Sequence, residues 1–175
     1  MMGVCFGMKE KMRRLFSELL KDSKRSDREL AKILKISQPT VSRMRQKLVK
    51  EGIIREFTAI PDFAKLGYEI MAVTIAKAKA TLTPNEQEKA KKLVLDEPRV
   101  IFVASAEGMG RNGVMISLHK DYADFRKFMD QLRSSSEGYM KEVDSMLISL
   151  HSGTIVKPLS FSYLAALEDA QRPAR

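Results

Sequence analysis

The sequence predicts an α+β chain of two domains. The first is a helix-turn-helix unit of three helices, of the winged type. The second is a ferredoxin-like unit in βαββαβ order. Three observations carry this reading. Residues 26–54 hold two helix starts separated by a three-residue turn. Residues 68–150 alternate strand and helix patterns in the stated order. The charge is split: residues 1–60 hold 15 Lys/Arg against 7 Asp/Glu, a net +8 of the +9 carried by all 175 residues.

The first helix is expected from about Lys9 to Lys21. Met8, Met12, Leu15, Phe16, Leu19 and Leu20 recur there at helical spacing. A methionine-rich stripe of this kind fills a core. The second helix starts at Ser26, where Glu29 completes a capping box. Leu30, Ala31 and Leu34 share its apolar face. Lys35-Ile36-Ser37 forms the turn, at a length that suits two crossing helices. Lys35 stands where a glycine is common, so a left-handed backbone there carries strain of roughly 1 kcal/mol. Ser37 is an N-cap and Pro39 lies in the first turn of the third helix. Val41, Met44 and Leu48 form its inner face. Gly52 marks its end.

The stretch I53-I-R-E-F-T-A-I-P-D-F63 is β-prone and reads as an extended connector, with the domain boundary at 56–66. It could pair with a second chain. The second domain opens with a strand over Tyr68–Lys79, with Ile70, Ala72, Thr74, Ala76 and Ala78 on one face and Met71, Val73 and Ile75 on the other. Thr83-Pro84-Asn85-Glu86 starts a helix running to Leu95. Strands follow at Arg99–Glu107 and Val114–His119, joined by a turn with Gly108, Gly110 and Gly113. A helix from Asp121 to Ser134 buries Tyr122, Phe125, Phe128, Met129 and Leu132. The last strand is Val143–Leu150, with Ile155–Phe161 as a candidate fifth. The second domain is thus 67–167, and 168–175 is a frayed tail. The order βαββαβ puts both helices on one sheet face. The apolar residues of the other face need a cover, and a second copy of the chain supplies one.

Composition narrows the function. The hydrophobic share is 44% and the charged share 30%, as in ordinary globular proteins. No run of 18 apolar residues occurs, so no membrane span or membrane partner is expected. Met1–Gly7 lacks the charged start of a signal peptide and reads as an extension. Cys5 is the only cysteine, which precludes an intrachain disulfide and suits a reducing cytoplasm. Cys5 has no basic or His neighbour to activate it. His119 and His151 lack further ligands nearby, so no metal, cofactor or catalytic residue is expected. A basic domain joined to a nearly neutral one is the footprint of a phosphate-binding module, with double-stranded DNA as partner.

The outward face of the third helix supplies the contacts. Ser37, Gln38, Thr40, Ser42, Arg43, Arg45, Gln46, Lys47 and Lys50 are the candidate DNA-binding residues. Arg43, Gln46 and Lys50 point away from Val41, Met44 and Leu48, and Ser42 and Lys47 flank them. Residues 38–50 contain no acid. Arg and Gln can hydrogen-bond base edges in a major groove. The plainer alternative is a solvated basic face on a small helical domain.

These features together resemble the Lrp/AsnC family of transcriptional regulators, the feast/famine regulators of bacteria and archaea. The resemblance spans roughly residues 9–160. It rests on R-E-L-A-K-I-L-K-I-S-Q-P-T-V-S-R-M-R-Q-K-L-V-K-E-G-I-I, on the connector R-E-F-T-A-I-P-D-F-A-K-L-G, and on H119-K-D-Y-A-D-F-R-K-F-M129. It implies a RAM-type second domain, homodimers that assemble into tetramers or octamers, and an amino-acid or other small effector at subunit interfaces. By that resemblance Gly108, Gly110, Arg111 and Asn112 are candidate effector contacts. The family's loop often reads Gly-x-Tyr-Asp, where this chain has G108-M-G-R-N-G113, and a plain hairpin turn is the other reading. Two further functions share this architecture: a chromatin-like DNA organiser of low sequence preference, and a porphyrin-modifying decarboxylase.

Overall fold

The computed structural model describes residues 8–79, 81–136, 138, 140–151 and 153–170. These form two compact units. One combines residues 8–60 with 159–170, and the other is Pro61–Pro158. The expected N-terminal extension, Met1–Gly7, lies outside the described residues.

The first unit is helical. Helix α1 spans Glu10–Lys21, α2 Asp27–Leu34 and α3 Gln38–Lys50. The capping box forms as read: the Glu29 amide donates to Ser26 Oγ at 3.3 Å, and the Ser26 amide donates to Glu29 Oε2 at 2.7 Å. Hydrogen bonds from Ser26 hold the Glu29 carboxyl below its ordinary range. Ser37 occupies the cap position of α3 in extended geometry, but its hydroxyl makes no capping bond. It pairs instead with the Thr40 hydroxyl at 2.7 Å. The core joins Met12, Leu15 and Leu19 of α1 to Leu30 and Leu34 of α2 and Val41 and Leu48 of α3, with Ile54 beyond them. Met44 and Ala31 pack against this cluster. Residues 55–62 run on without regular structure and mostly exposed.

Lys35 is left-handed, at φ 54° and ψ 48°. Glycine carries no Cβ penalty there but loses more freedom on folding. Lys35→Gly is therefore expected to stabilise this unit by about 0.5 kcal/mol, read as a raised urea midpoint at unchanged slope. A lowered midpoint would mean that the lysine side chain itself supports the turn.

The second unit is the expected βαββαβ arrangement. Its elements are β1 (Ile70–Ala78), α4 (Pro84–Leu95), β2 (Val100–Gly108), β3 (Arg111–His119), α5 (Tyr122–Ser135) and β4 (Met140–Ser149). The sheet order is β2-β3-β1-β4, all neighbours antiparallel. Ala72 and Met115 of the sheet pack against Phe125, Phe128, Met129 and Leu132 of α5, with Leu93 and Val94 of α4 beside them. Cross-strand partners share a face. The register therefore lines Phe102, Ile116, Val73 and Met146 in one row across the opposite face.

Two expectations near the C-terminus change. No strand forms over Ile155–Phe161; Val156, Leu159 and Phe161 are exposed in irregular chain. The segment read as ending a domain at 167, with a frayed tail from 168, is instead a helix, α6, over Ser162–Ala170. It packs on α1: Ala165 is buried, and Ser17 Oγ donates to Asp169 Oδ1 at 2.7 Å. Lys21 Nζ lies 3.0 Å from Asp169, and Arg13 Nε 3.6 Å from Glu168. The remainder of that tail, 171–175, lies outside the described residues.

Candidate nucleic-acid interface

The candidate DNA-contacting residues fall on α3 and its N-terminal edge. Burying Val41 and Leu48 turns the opposite side of α3 outward. Arg43, Gln46 and Lys50 are exposed there, as are Ser37, Gln38 and Lys47. Thr40 and Ser42 are half-buried. Among the described residues Arg43 is tethered only by its own helix, Nε donating to the Pro39 carbonyl at 3.3 Å. Lys47 lies 3.4 Å from Glu51, an exposed pair that water and salt weaken. Among the described residues neither Gln46 nor Lys50 has a side-chain hydrogen bond or ion pair.

Arg45 stands apart from the set. Its Nε donates to Asp27 Oδ1 at 2.8 Å and its Nη2 to the Arg25 carbonyl at 2.9 Å. Its guanidinium also lies over the Phe57 ring, 5.6 Å from the centroid. The sequence reading placed Arg45 with the DNA contacts. Its donors are directed at Asp27 in the first turn of α2 and at the Arg25 carbonyl before it, and its guanidinium faces the connector, so it ties α3 to both. Sequence reasoning missed this because the partners lie 18 and 20 positions away. It also passed over Arg28 and Lys32 of α2 and Arg55 beyond α3, all exposed and basic. Their signal was present in the charge count alone.

The turn read over Gly108–Gly113 is shorter: Met109 (φ 53°) and Gly110 (φ 70°), both left-handed, join β2 to β3, and Arg111, Asn112 and Gly113 already belong to β3. Arg111 is held by two carboxylates: Nη1 lies 2.6 Å from Glu142, and Nη2 is bonded to Asp144. The hydrogen bond to Asp144 and the charges of both acids raise its pKa above the ordinary value. The Asn112 amide bridges to β1, accepting from the Ala78 amide at 2.8 Å and donating to the Ala78 carbonyl at 3.1 Å. His119 is fully buried against Phe125 and Phe128, with Nε2 2.8 Å from Ser117 Oγ. Burial pushes its imidazole below the usual histidine value. His151 is exposed. Among the described residues no three of His, Cys, Asp and Glu gather as a metal site, and no helix is long and apolar enough to cross a membrane.

A family model described as winged helix-turn-helix DNA-binding matches residues 8–55, which hold α1 to α3. An HTH-type transcriptional regulator of Pyrococcus horikoshii, PH0061, is 33% identical over 138 residues, covering 75% of this chain and 85% of that one. The chain is a helix-turn-helix transcriptional regulator. The crystal structure of PH0061 superposes with a TM-score of 0.72 at 28% identity, over 87% of this chain and 97% of that one. An AsnC family regulator from Agrobacterium tumefaciens shares the fold, at TM-score 0.72 and 19% identity, over 90% and 99% of the two chains. So does the regulator NMB0573 of Neisseria meningitidis, solved as an L-Met complex, at TM-score 0.73 and 16% identity over 90% and 99%. In this regulator, then, α2 and α3 are the two helices of the DNA-binding motif.

Proposed function

We propose that this regulator binds operator DNA sequence-specifically as a dimer, inserting α3 into the major groove. The observation that carries the reading is the outward face of α3: Arg43, Gln46 and Lys50 are exposed, unopposed by acid, and backed by a buried face. An α-helix fits the width of that groove. Arg43 and Gln46 read base edges. Lys47 and Lys50 contact phosphates, as do Ser37, Gln38, Thr40 and Ser42 near the helix start. Arg45 positions the helix from behind.

The row Phe102–Ile116–Val73–Met146 supports the dimer. Phe102 is 51% and Met146 70% exposed, at opposite ends of a continuous apolar strip. A second sheet laid on this strip removes it from water.

An amino-acid effector is carried over from the family and from the L-Met complex of the Neisseria neighbour. The turn at Gly108, Gly110, Arg111 and Asn112 is its candidate site. Because Glu142 and Asp144 already neutralise Arg111, a carboxylate there would rely on backbone N–H groups.

Selection of duplexes from a random pool by the full chain tests the reading. The enriched sites are expected to be imperfect palindromes, with half-sites about one helical turn, or a multiple of it, apart. Affinity for them should fall steeply with salt as counterions are released. A pool that stays unenriched at every salt concentration would favour the DNA-organising alternative.

A further inference from the structure

The second unit contains a cavity of about 580 Å³ between α4 and the helix-covered side of the sheet. That volume lies within the range of small-molecule sites. Its floor is apolar: Ala76, Met115, Leu93, Val94, Leu132 and Met140 contribute to it. The Thr74 hydroxyl also lies there but is paired with Ser145 Oγ at 2.8 Å, so the floor asks nothing polar of an occupant.

The rim differs. Lys79, Gln87, Lys91 and Asn112 line it, and all four are exposed. The polar groups of two are engaged: Gln87 Nε2 donates to the Leu82 carbonyl at 3.2 Å, and Asn112 bridges to Ala78. Lys79 Nζ lies 3.4 Å from Glu86, whose carboxylate already accepts from the Thr83 amide and hydroxyl in the cap of α4. Lys91 makes no ion pair among the described residues. None of the lining residues is an acid.

We propose that this cavity binds an aliphatic monocarboxylic acid, tail inward and carboxylate at Lys91 and Lys79. The charge pattern selects this class. A free amino acid would bring an ammonium group to a rim that holds two cations and no lining carboxylate, and such a group pays its desolvation unpaired. A fatty acid brings only what the rim lacks, and its tail replaces water against the floor. At the fill usual for such sites the space takes a tail of roughly eight to ten carbons. Of the candidate effector residues the site touches only Asn112, whose side chain is already bridged to Ala78, and the proposal stands independently of the DNA reading.

Calorimetry of the full chain with decanoate, decylammonium and L-leucine, all below micelle formation, tests this. Decanoate is expected to bind one per chain, with decylammonium and L-leucine at least about tenfold weaker. Lys91→Gln should erase about tenfold of decanoate affinity and leave the thermal midpoint unchanged. Ala90→Phe, which fills the space from α4, should abolish binding. Methyl NMR on labelled methionines locates the ligand whatever that variant does to folding. Met115 and Met140 should shift, and Met146 on the open sheet face should not. Equal affinity for decanoate and decylammonium would overturn the proposal, as would shifts confined to Met146 or preferential binding of L-leucine.

Discussion

Arg43→Ala is expected to weaken operator binding by about 1–3 kcal/mol per half-site and to relax preference at one base position, with stability unchanged. The side chain is exposed, and its bond to the Pro39 carbonyl lies within its own helix. Removing it uncovers nothing in the core. Gln46→Ala should act in the same way at a neighbouring base. Lys50→Ala should instead lower affinity for operator and scrambled duplex alike and flatten the salt dependence. Arg45→Ala gives a third pattern. It strips the partner from Asp27 and from the Arg25 carbonyl, so the unfolding midpoint should fall together with DNA affinity. Anisotropy titrations on both duplexes at fixed salt, with a melt of each variant, separate the three. Equal loss on operator and scrambled duplex for Arg43→Ala would make it a phosphate contact and refute the assignment of base reading.

The motif itself was legible in sequence because its determinants are local. A capping box needs two residues three apart, and Ser26 with Glu29 meets that condition. The three-residue turn was legible too, and Lys35, standing where a glycine is common, is left-handed in it. Strands β1 and β4 could be read from alternation, and the faces of β1 came out as the register has them: Ala72 and Thr74 under the helices, Met71 and Val73 opposite. Features that depend on distant partners were not legible. Arg45 looks like any basic residue on a basic helix until Asp27 is set beside it. Arg111 looks like a free cation until β4 brings Glu142 and Asp144 alongside. Ser37 was read as a capping hydroxyl, but Thr40 competes for it one turn on. The cavity beneath α4 left no periodic trace, since the residues lining it come from six elements and the chain between them.

Helix α6 has the largest expected effect on stability. Deleting residues 159–175 should destabilise the helix-turn-helix unit and weaken DNA binding, although no removed residue is a candidate DNA contact. The reason lies in α1. Ser17 is fully buried, and its hydroxyl is satisfied by Asp169 with the Ala165 carbonyl 3.4 Å away. Without α6 the hydroxyl meets water, Ala165 no longer packs, and the ion pairs of Arg13 and Lys21 with Glu168 and Asp169 are lost. Asp169→Ala isolates one part of this. It leaves the helix in place but removes the main acceptor from a buried donor, at a cost of about 1–3 kcal/mol. The deletion should cost more, because it adds the lost packing. Chemical denaturation of the full chain and both variants, followed beside operator affinity, checks the order: wild type above Asp169→Ala, and that above the deletion. Helix α1 holds Met12, Leu15 and Leu19 against α2 and α3, so loosening α1 also loosens the frame that presents Arg43 and Gln46. An unchanged midpoint in the deletion variant would mean that the first 60 residues hold α1 in place without α6.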